Sequence, residues 1–327
     1  MRAVWFNRFG SSGQVLQIGE LPKPEPGYGE VLVKLYMTGV NPSDVKKRAG
    51  AFPHLLDSGL VVPHSDGAGE ITAVGAGVAE DRIGQRVFVY QAQHERSNGT
   101  AAEYIAIDEL RAPLLPSNTS FEVGACIGIP ILTAHRCVFA DGKVTNKLLL
   151  VTGGAGRVGY YAIQWAKFGG ARVLATASNE SDAEACRDAG AEFVVNHRHP
   201  YWAEDILRYT DGEKIDRAVD VEFGANLAAL LNCLRVGAEI VSYSSSAVPE
   251  PVLPFKKMMF MDLVVRMVIV YDMPEVAKAK AVKDTQKLLQ EGALKHRIAE
   301  VIPLDETARA HQLIESGESR GCVLISV

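Results

Sequence analysis

The chain has 327 residues, of which 47% are hydrophobic and 22% charged, with a formal net charge of −5. That is the size of two ordinary soluble domains, and the negative balance argues against a general nucleic-acid or anionic-membrane binder. Five cysteines (Cys126, Cys137, Cys186, Cys233 and Cys322) are widely spaced with no CxxC. They argue against a disulfide framework or structural zinc lobe and read as reduced, cytoplasmic thiols.

The N-terminal MRAVWFNRFG lacks a long apolar run, so no signal peptide is expected. Residues 1 to about 120 read as β-rich. Strand candidates are 31–36, 70–74, 86–90 and 104–107, separated by turn residues such as those at 22–29 and 75–77. The one helical period there is Pro42 to Ala49. From about 122 to 272 strands and helices alternate. Strands are expected at 147–152, 172–177, 193–196, 215–221, 239–243 and 263–270, with helices at 158–168, 181–188, 202–209 and 226–235. Such βαβ alternation predicts a doubly wound parallel sheet covered on both faces. Helices at 275–290 and 307–315 and a closing strand at 322–327 follow. The longest apolar stretch by this reading, Leu263 to Val270, is too short to span a bilayer. It suits a sheet edge that pairs with another chain. The division expected is a split first domain (1–121 and 273–327) around a second (122–272). A ligand would then lie in the cleft between them, at the carboxyl ends of the parallel strands.

One segment, KLLLVTGGAGRVGYYAIQWAKF, runs from an apolar strand through a glycine turn into a helix. Gly154, Gly156 and Gly159 fit GxGxxG. Gly154 is assigned the tight turn, Gly156 the close approach to a pyrophosphate, and Gly159 the packing of helix on sheet. The turn Gly154, Ala155, Gly156, Arg157, Val158, Gly159 then presents its N–H groups to phosphates at a helix start.

The run Gly39-Val40-Asn41-Pro42-Ser43-Asp44, then Gly84-Gln85-Arg86-Val87, then Ala102-Glu103-Tyr104 resembles the medium-chain dehydrogenase/reductase superfamily. The segment from Ile127 to Arg136 (IGIPILTAHR) and the run Val195-Asn196-His197-Arg198 resemble its zinc-independent quinone oxidoreductase branch, which includes zeta-crystallin. The resemblance covers nearly the whole chain. It implies an α/β architecture with a GroES-like β-rich catalytic domain and a Rossmann domain. It also implies NADPH as reductant and a homodimer or tetramer, here joined through the 263–270 edge strand.

Zinc-dependent relatives have cysteine where this chain has Asn41 and histidine where it has Ser65. Neither substitute is a good zinc ligand, so no metal is expected. The resemblance places Asn41 near nicotinamide and acceptor, where its amide can donate to the acceptor's carbonyl oxygen. Asp44 either relays a proton through water or caps a short helix. Thr133 either meets the carboxamide or ribose region of the coenzyme or caps a helix N-terminus. His135, where the branch has an aromatic, reads chiefly as structural. The strand ending Ala175-Thr176-Ala177-Ser178-Asn179 carries no acid at its tip, so a 2′-phosphate is not repelled there. Ser178 can donate to that phosphate, His197 matches a family position near it, and Arg157 and Arg198 add positive charge. Two departures oppose NADPH, since bacterial relatives have Lys at Asp182 and Arg at Gly317. Lys46 replaces a tyrosine near the coenzyme and joins Lys47 and Arg48 in a basic cluster, which binds pyrophosphate or an acidic acceptor or is a solvated helix face. Phe223 and Gly224 are expected near the nicotinamide half, and Ser244, Ser245 and Ser246 in a loop over the coenzyme.

These features predict NADPH-dependent hydride transfer to a quinone. The alternatives are reduction of an α,β-unsaturated carbonyl, or a non-catalytic NADPH-binding protein of the lens-crystallin or RNA-binding kind. Nucleic acid is the less expected partner, given the net negative charge.

Overall fold

Strand-rich and alternating patterns build two separate units, and the computed structural model describes residues 1–327. In chain order the first elements are β1 (Arg2–Trp5), α1 (Ser12–Val15), β2 (Gln17–Glu20), β3 (Glu30–Val40), α2 (Pro42–Arg48), β4 (Asp66–Val74), β5 (Arg86–Val89) and β6 (Tyr104–Asp108). Next come α3 (Phe121–Phe139), β7 (Leu148–Val151), α4 (Arg157–Phe168), β8 (Arg172–Ala177), α5 (Glu180–Ala189) and β9 (Phe193–Asn196). They are followed by α6 (Trp202–Tyr209), β10 (Ile215–Asp220), α7 (Phe223–Cys233), β11 (Leu234–Ser242), α8 (Phe255–Phe260) and β12 (Val264–Met267). The chain closes with α9 (Glu275–Gln290), β13 (Ile298–Pro303), α10 (Thr307–Ser316) and β14 (Cys322–Ser326).

Unit 1 comprises Met1–Ile129 and Val282–Val327, and unit 2 comprises Pro130–Ala281. Both divisions fall inside helices, α3 and α9, rather than at the residue pairs 121/122 and 272/273. The first falls at Pro130. Proline has no N–H, so the Cys126 carbonyl loses its helical partner four residues on. The Cys322 thiol lies 3.6 Å from that carbonyl instead.

In unit 1 the main sheet has the order β13-β14-β3-β4-β5, with β6 also on β3. The closing strand returns as expected: Val323 pairs with Val40 and Ser326 with Met37, antiparallel. Alternation along β3 sends Val31, Val33 and Leu35 into a core with Ile71, Val87 and Ile105. Three strands were not foreseen. β1 and β2 form a separate antiparallel pair, and β13 runs parallel to β14. β1 and β2 are four residues long with one β-branched residue each, and β13 (IAEVIP) does not alternate apolar and polar, so they give little periodic signal.

In unit 2 all pairings are parallel and the order is β12-β11-β10-β7-β8-β9. Read from the far edge this is the 3-2-1-4-5-6 order of a dinucleotide-binding fold, reversing between β7 and β10. The core joins Leu148, Leu150, Leu174 and Ile240 of the sheet to Ile206, Leu227 and Leu230 of the helices. The expected strand at 263–270 is ordered as strand only over Val264–Met267, and it does form the sheet edge.

The largest miss is α3. It is apolar on nearly all sides, so no amphipathic period marks it, and Gly124, Gly128 and Pro130 look like breakers. It also corrects the reading of 263–270 as the longest apolar stretch. By length and composition α3 is apolar enough to cross a membrane, but 78% of that window is buried inside the protein, as in a core helix.

Candidate functional site

In unit 2 the glycine turn lies between β7 and α4, next to the point where the strand order reverses. Gly153, outside the GxGxxG count, takes the left-handed conformation (φ +58°). The tight turn is therefore Gly153's, not Gly154's. Gly154 is a packing glycine: a Cβ there would lie 2.9 Å from each of Ala175 Cβ, Cys186 Sγ and Ile163 Cδ1. Gly159 packs its helix turn so closely that a Cβ would overlap the Gly153 carbonyl. Gly156 is the N-cap of α4, exposed, and offers no side-chain cap. The one atom within 4 Å of a Cβ built there is Gly153 O, at 3.1 Å. The helix start is thus uncovered, with the positive end of the α4 dipole facing outward. The turn itself is fixed, since Thr176 accepts from Gly153 N through Oγ1 (2.9 Å) and from Gly154 N through its carbonyl (2.9 Å). An uncovered helix start on a rigid turn fits a dinucleotide pyrophosphate.

At the tip of β8, Asn179 caps α5 by accepting from Asp182 N (2.9 Å). The third residue of a capped helix turns back toward the cap. The buried Asp182 carboxylate accordingly accepts from Asn179 Nδ2 at 2.8 Å and lies 3.5 Å from the Ser178 hydroxyl. The sequence reading put no acid at this tip, and the structure brings one there. Partial desolvation, then the Arg198 charge, lowers the pKa of His197, while Asp182 raises it. The net direction is downward, so His197 is chiefly neutral at neutral pH when no anion is beside it. Arg198 is exposed, and its backbone N–H donates to Asn196 Oδ1 (2.9 Å).

Phe223 and Gly224 open α7 rather than forming a loop. Phe223 is a buried core residue, and Gly224 N donates to Ser245 Oγ at 2.9 Å. Ser245 Oγ in turn donates to the Val248 carbonyl (2.5 Å), and Ser244 and Ser246 hydroxyls lie 3.2 Å apart. Glu222, not singled out in the sequence, accepts from the N–H groups of Ser246 (2.9 Å), Ala247 (2.9 Å) and Val248 (3.4 Å). The serine loop is therefore clamped to the start of α7. A cavity of about 470 Å³ opens beside it, lined by Phe223, Tyr243, Ser244, Ser245 and Met267.

Thr133 and His135 lie in the second half of α3, both buried. Thr133 cannot be an N-terminal cap, because the helix begins twelve residues earlier at Phe121. His135 packs against Phe139 (ring centroids 4.8 Å apart) and the edge of Trp165 (5.0 Å), which matches its structural reading.

In unit 1, Asn41 ends β3 and caps α2, and it is 2% exposed. Asn41 and Asp44 form a capping box: the Asn41 side chain accepts from Asp44 N, and Asn41 N donates to Asp44 Oδ2 at 2.7 Å. The helix-cap reading of Asp44 is therefore realised. The residue that sequence reasoning missed is Asp66. Its carboxylate accepts from Asn41 Nδ2 (2.8 Å) and from Ile129 N (2.9 Å to each oxygen). Gly128 makes room for it, since a Cβ there would overlap Asp66 Oδ1. An acid directly after Ser65, at the start of β4, was the available signal. One Asn41 N–H is thus committed to a buried carboxylate, which fixes the orientation of the whole amide.

The basic cluster divides. Lys46 is exposed, whereas Lys47 and Arg48 are buried. Lys47 Nζ donates to the Gln93 carbonyl, and Arg48 binds the Gly10 carbonyl and Glu315. Burial lowers the Lys47 pKa, partly offset by Asp44 and Asp66. Gly317 is the left-handed C-cap of α10. No three His, Cys, Asp or Glu side chains group into a set able to hold a metal ion. Unit 1 thus brings together Asn41, Asp44 and Asp66, and unit 2 gathers the glycine turn, Ser178 with His197, and the serine loop.

Comparison with known proteins agrees with this division. Residues 27–117 match the family described as alcohol dehydrogenase GroES-like domain, and residues 158–287 that described as zinc-binding dehydrogenase. The human quinone oxidoreductase is 30% identical over 320 residues, covering 97% of this chain and 94% of that protein. Among solved structures, an NAD-dependent alcohol dehydrogenase is 30% identical with a TM-score of 0.88. The Escherichia coli quinone oxidoreductase, solved as a complex with NADPH, is 25% identical with a TM-score of 0.87. Each of these two structures and this chain are matched over 100% of their lengths. With a GroES-like first unit and a Rossmann second unit, the chain belongs to the quinone oxidoreductases of the medium-chain dehydrogenase/reductase superfamily.

Proposed function

We propose that this protein is an NADPH-dependent quinone oxidoreductase that works without a metal. The observation that carries the reading is Asn41. A neutral amide, buried and oriented by Asp66 and Asp44, stands where zinc-dependent relatives have a cysteine ligand. An oriented N–H donor stabilises charge arriving on an acceptor oxygen without moving to do so. A quinone also delocalises that charge, so it needs no Lewis acid.

When bound, NADPH supplies the hydride from nicotinamide C4. The chain's own groups do the rest. The N-terminus of α4 holds the pyrophosphate, and the clamped serine loop and Thr133 border the nicotinamide side. Asn41, held by Asp44 and Asp66, steers the acceptor carbonyl, and the reduced oxygen takes its proton from water. The quinone thereby gains one hydride and one proton. Catalysis is by positioning, with no covalent intermediate. The two structural neighbours named for different coenzymes superpose equally well on this chain, so the coenzyme choice rests on individual residues.

The test is steady-state oxidation of NADPH and NADH by chelator-treated protein across quinones, enones and simple ketones. Chelator-resistant turnover with quinones is expected. A preference for enones would make the protein a double-bond reductase, and coenzyme binding without turnover would make it a binding protein. Asn41→Ala is expected to lower kcat with quinones about 10- to 100-fold while changing coenzyme affinity much less. An unchanged kcat would remove Asn41 from the mechanism.

We also propose that two copies join along β12. This edge and the neighbouring α8 expose Val264 (48%), Met267 (63%), Phe255 (71%) and Phe260 (78%). An unpaired apolar edge is a template for another strand. Met267→Lys is expected to shift the sedimenting species from dimer to monomer; an unchanged mass would place the interface elsewhere.

A further inference from the structure

The coenzyme reading leaves the buried Asp182 without a role. At the carboxyl end of β8, a coenzyme's adenine ribose is held by groups that either welcome or repel a 2′-phosphate. In the coenzyme reading the hydroxyl assigned to that position is Ser178, and the Asp182 carboxylate stands 3.5 Å from it. Asp182 is 6% exposed and built in: Asn179 donates to it at 2.8 Å and caps its own backbone N–H at 2.9 Å. Asn179 Nδ2 also reaches Ser178 Oγ at 3.2 Å, so the three residues form one rigid cluster.

We propose that Asp182 is a specificity-determining residue that lowers the discrimination of this site between NADPH and NADH. This rests on the coenzyme reading above and refines it. A 2′-phosphate brought to Ser178 meets a buried negative charge and must compete with that charge for the serine proton. A free ribose 2′-hydroxyl meets neither difficulty, because it carries no charge to be repelled and can share a hydrogen bond with the Ser178 hydroxyl. Two neighbours set the balance. Arg198 is exposed and supplies attraction through a screened charge. Partial desolvation and then the Arg198 charge lower the His197 pKa when no phosphate is beside it, so an arriving phosphate has to raise it again before His197 adds a cation. The buried anion offsets part of the attraction that Arg198 and Arg157 supply, so the preference for a 2′-phosphate is expected to be small.

The test reads binding rather than turnover. Calorimetric titration of the full chain with 5′-AMP and with adenosine 2′,5′-bisphosphate (2′,5′-ADP) gives an affinity ratio that isolates the 2′-phosphate. The wild-type ratio is expected to lie within about 10-fold of one, and Asp182→Asn to move it toward 2′,5′-ADP by about 10-fold or more. That shift should shrink as salt is raised. Asp182→Ser is a second variant that also removes the charge and keeps a hydrogen-bonding group. Asp188→Asn removes a carboxylate farther along α5 that accepts from Tyr160 (3.0 Å), and it should leave the ratio unchanged. If both Asp182 variants fold but bind the two nucleotides in the wild-type ratio, Asp182 does not set selectivity and the coenzyme reading stands. If wild type binds neither nucleotide, the coenzyme reading itself fails and this assignment with it.

Discussion

Acidification from neutral pH toward 5 is expected to destabilise the protein by several kcal/mol. The cause is a set of buried neutral histidines in unit 1. His64 and His311 are wholly buried, with Nε2 atoms 2.9 Å apart and rings stacked at 5.2 Å. Thr38 Oγ1 lies 3.2 Å from His64 Nδ1. It also meets Thr100 Oγ1 at 2.5 Å, and both threonines reach the Asp66 carbonyl. Two hydroxyl protons serve these contacts best when His64 Nδ1 carries a proton and donates to Thr38. His64 Nε2 then accepts from His311 Nε2–H. His311 Nδ1 is left as a bare lone pair, in keeping with its lack of a hydrogen-bond partner. The arrangement has no room for a further proton. Burial lowers the His64 pKa to about 3, and burial with the His64 and Arg48 charges lowers that of His311 well below its usual value. His296 is lowered by burial to about 4. Below the unfolded-state value of roughly 6.5, the unfolded chain takes up protons that the folded chain refuses, so stability falls as pH falls. His64 costs about 2 kcal/mol by pH 5, and His311 and the half-buried His296 add to the loss in the same direction, so the sum is a sizeable part of the stability of an ordinary domain. Denaturant unfolding at pH 7.5 and 5, in wild type and in His64→Gln/His311→Gln, measures this. The double variant should have a flatter pH profile even if it is less stable at neutral pH. A wild-type midpoint that does not move with pH would show that these histidines do not govern acid stability.

The second large effect is expected in unit 2. Arg217 on β10 is fully buried. Its guanidinium binds Glu239 on β11 and the carbonyls of Cys137 and Val138 at the end of α3, with Asp141 at 3.8 Å. Arg266 on the edge strand β12 pairs with the same Asp141, so the two arginines tie α3 to the sheet. Arg217→Met leaves Glu239 with the more distant Lys147 (3.6 Å), and the helix carbonyls lose their donor. Breaking a buried pair by removing one partner costs about 3–5 kcal/mol. The fall in unfolding free energy should be of that size, and Arg217→Met/Glu239→Leu should recover much of it. If the double variant is no better than the single, the loss comes from packing around the arginine and not from its charge.

Much of this architecture was legible because unit 2 repeats one rule. Each of its buried strands is a short apolar run, and amphipathic helices stand between most of them, so the expected strand at 172–177 and helix at 202–209 coincide with β8 and α6. The helix α3 was hidden for a physical reason. A helix buried on every side has no polar stripe, and its glycines and proline serve close packing and a missing N–H rather than a break. In the candidate site, the residues with local motifs were visible, and those acting across the chain were not. Asp66 reaches Asn41 from 25 residues away. Asp182 reaches Ser178 by the back-turn of a capped helix, which a search for an acid at the strand tip passes over. Gly153 took the turn assigned to Gly154 because three glycines in four positions share one motif, and backbone conformation alone separates their jobs.

The central claim is that unit 2 holds a reduced nicotinamide coenzyme whose hydride passes to a quinone without a metal. The most direct measurement is a single turnover under anaerobic conditions. Chelator-dialysed protein is mixed with one equivalent of NADPH and one of quinone, and nicotinamide absorbance is followed for protium and deuterium at C4. The account predicts stoichiometric, quinone-dependent oxidation, unaffected by the chelator and slowed by deuterium. A coenzyme that binds but is not oxidised when quinone is added, or oxidation that stops on chelation and returns with zinc, would contradict it.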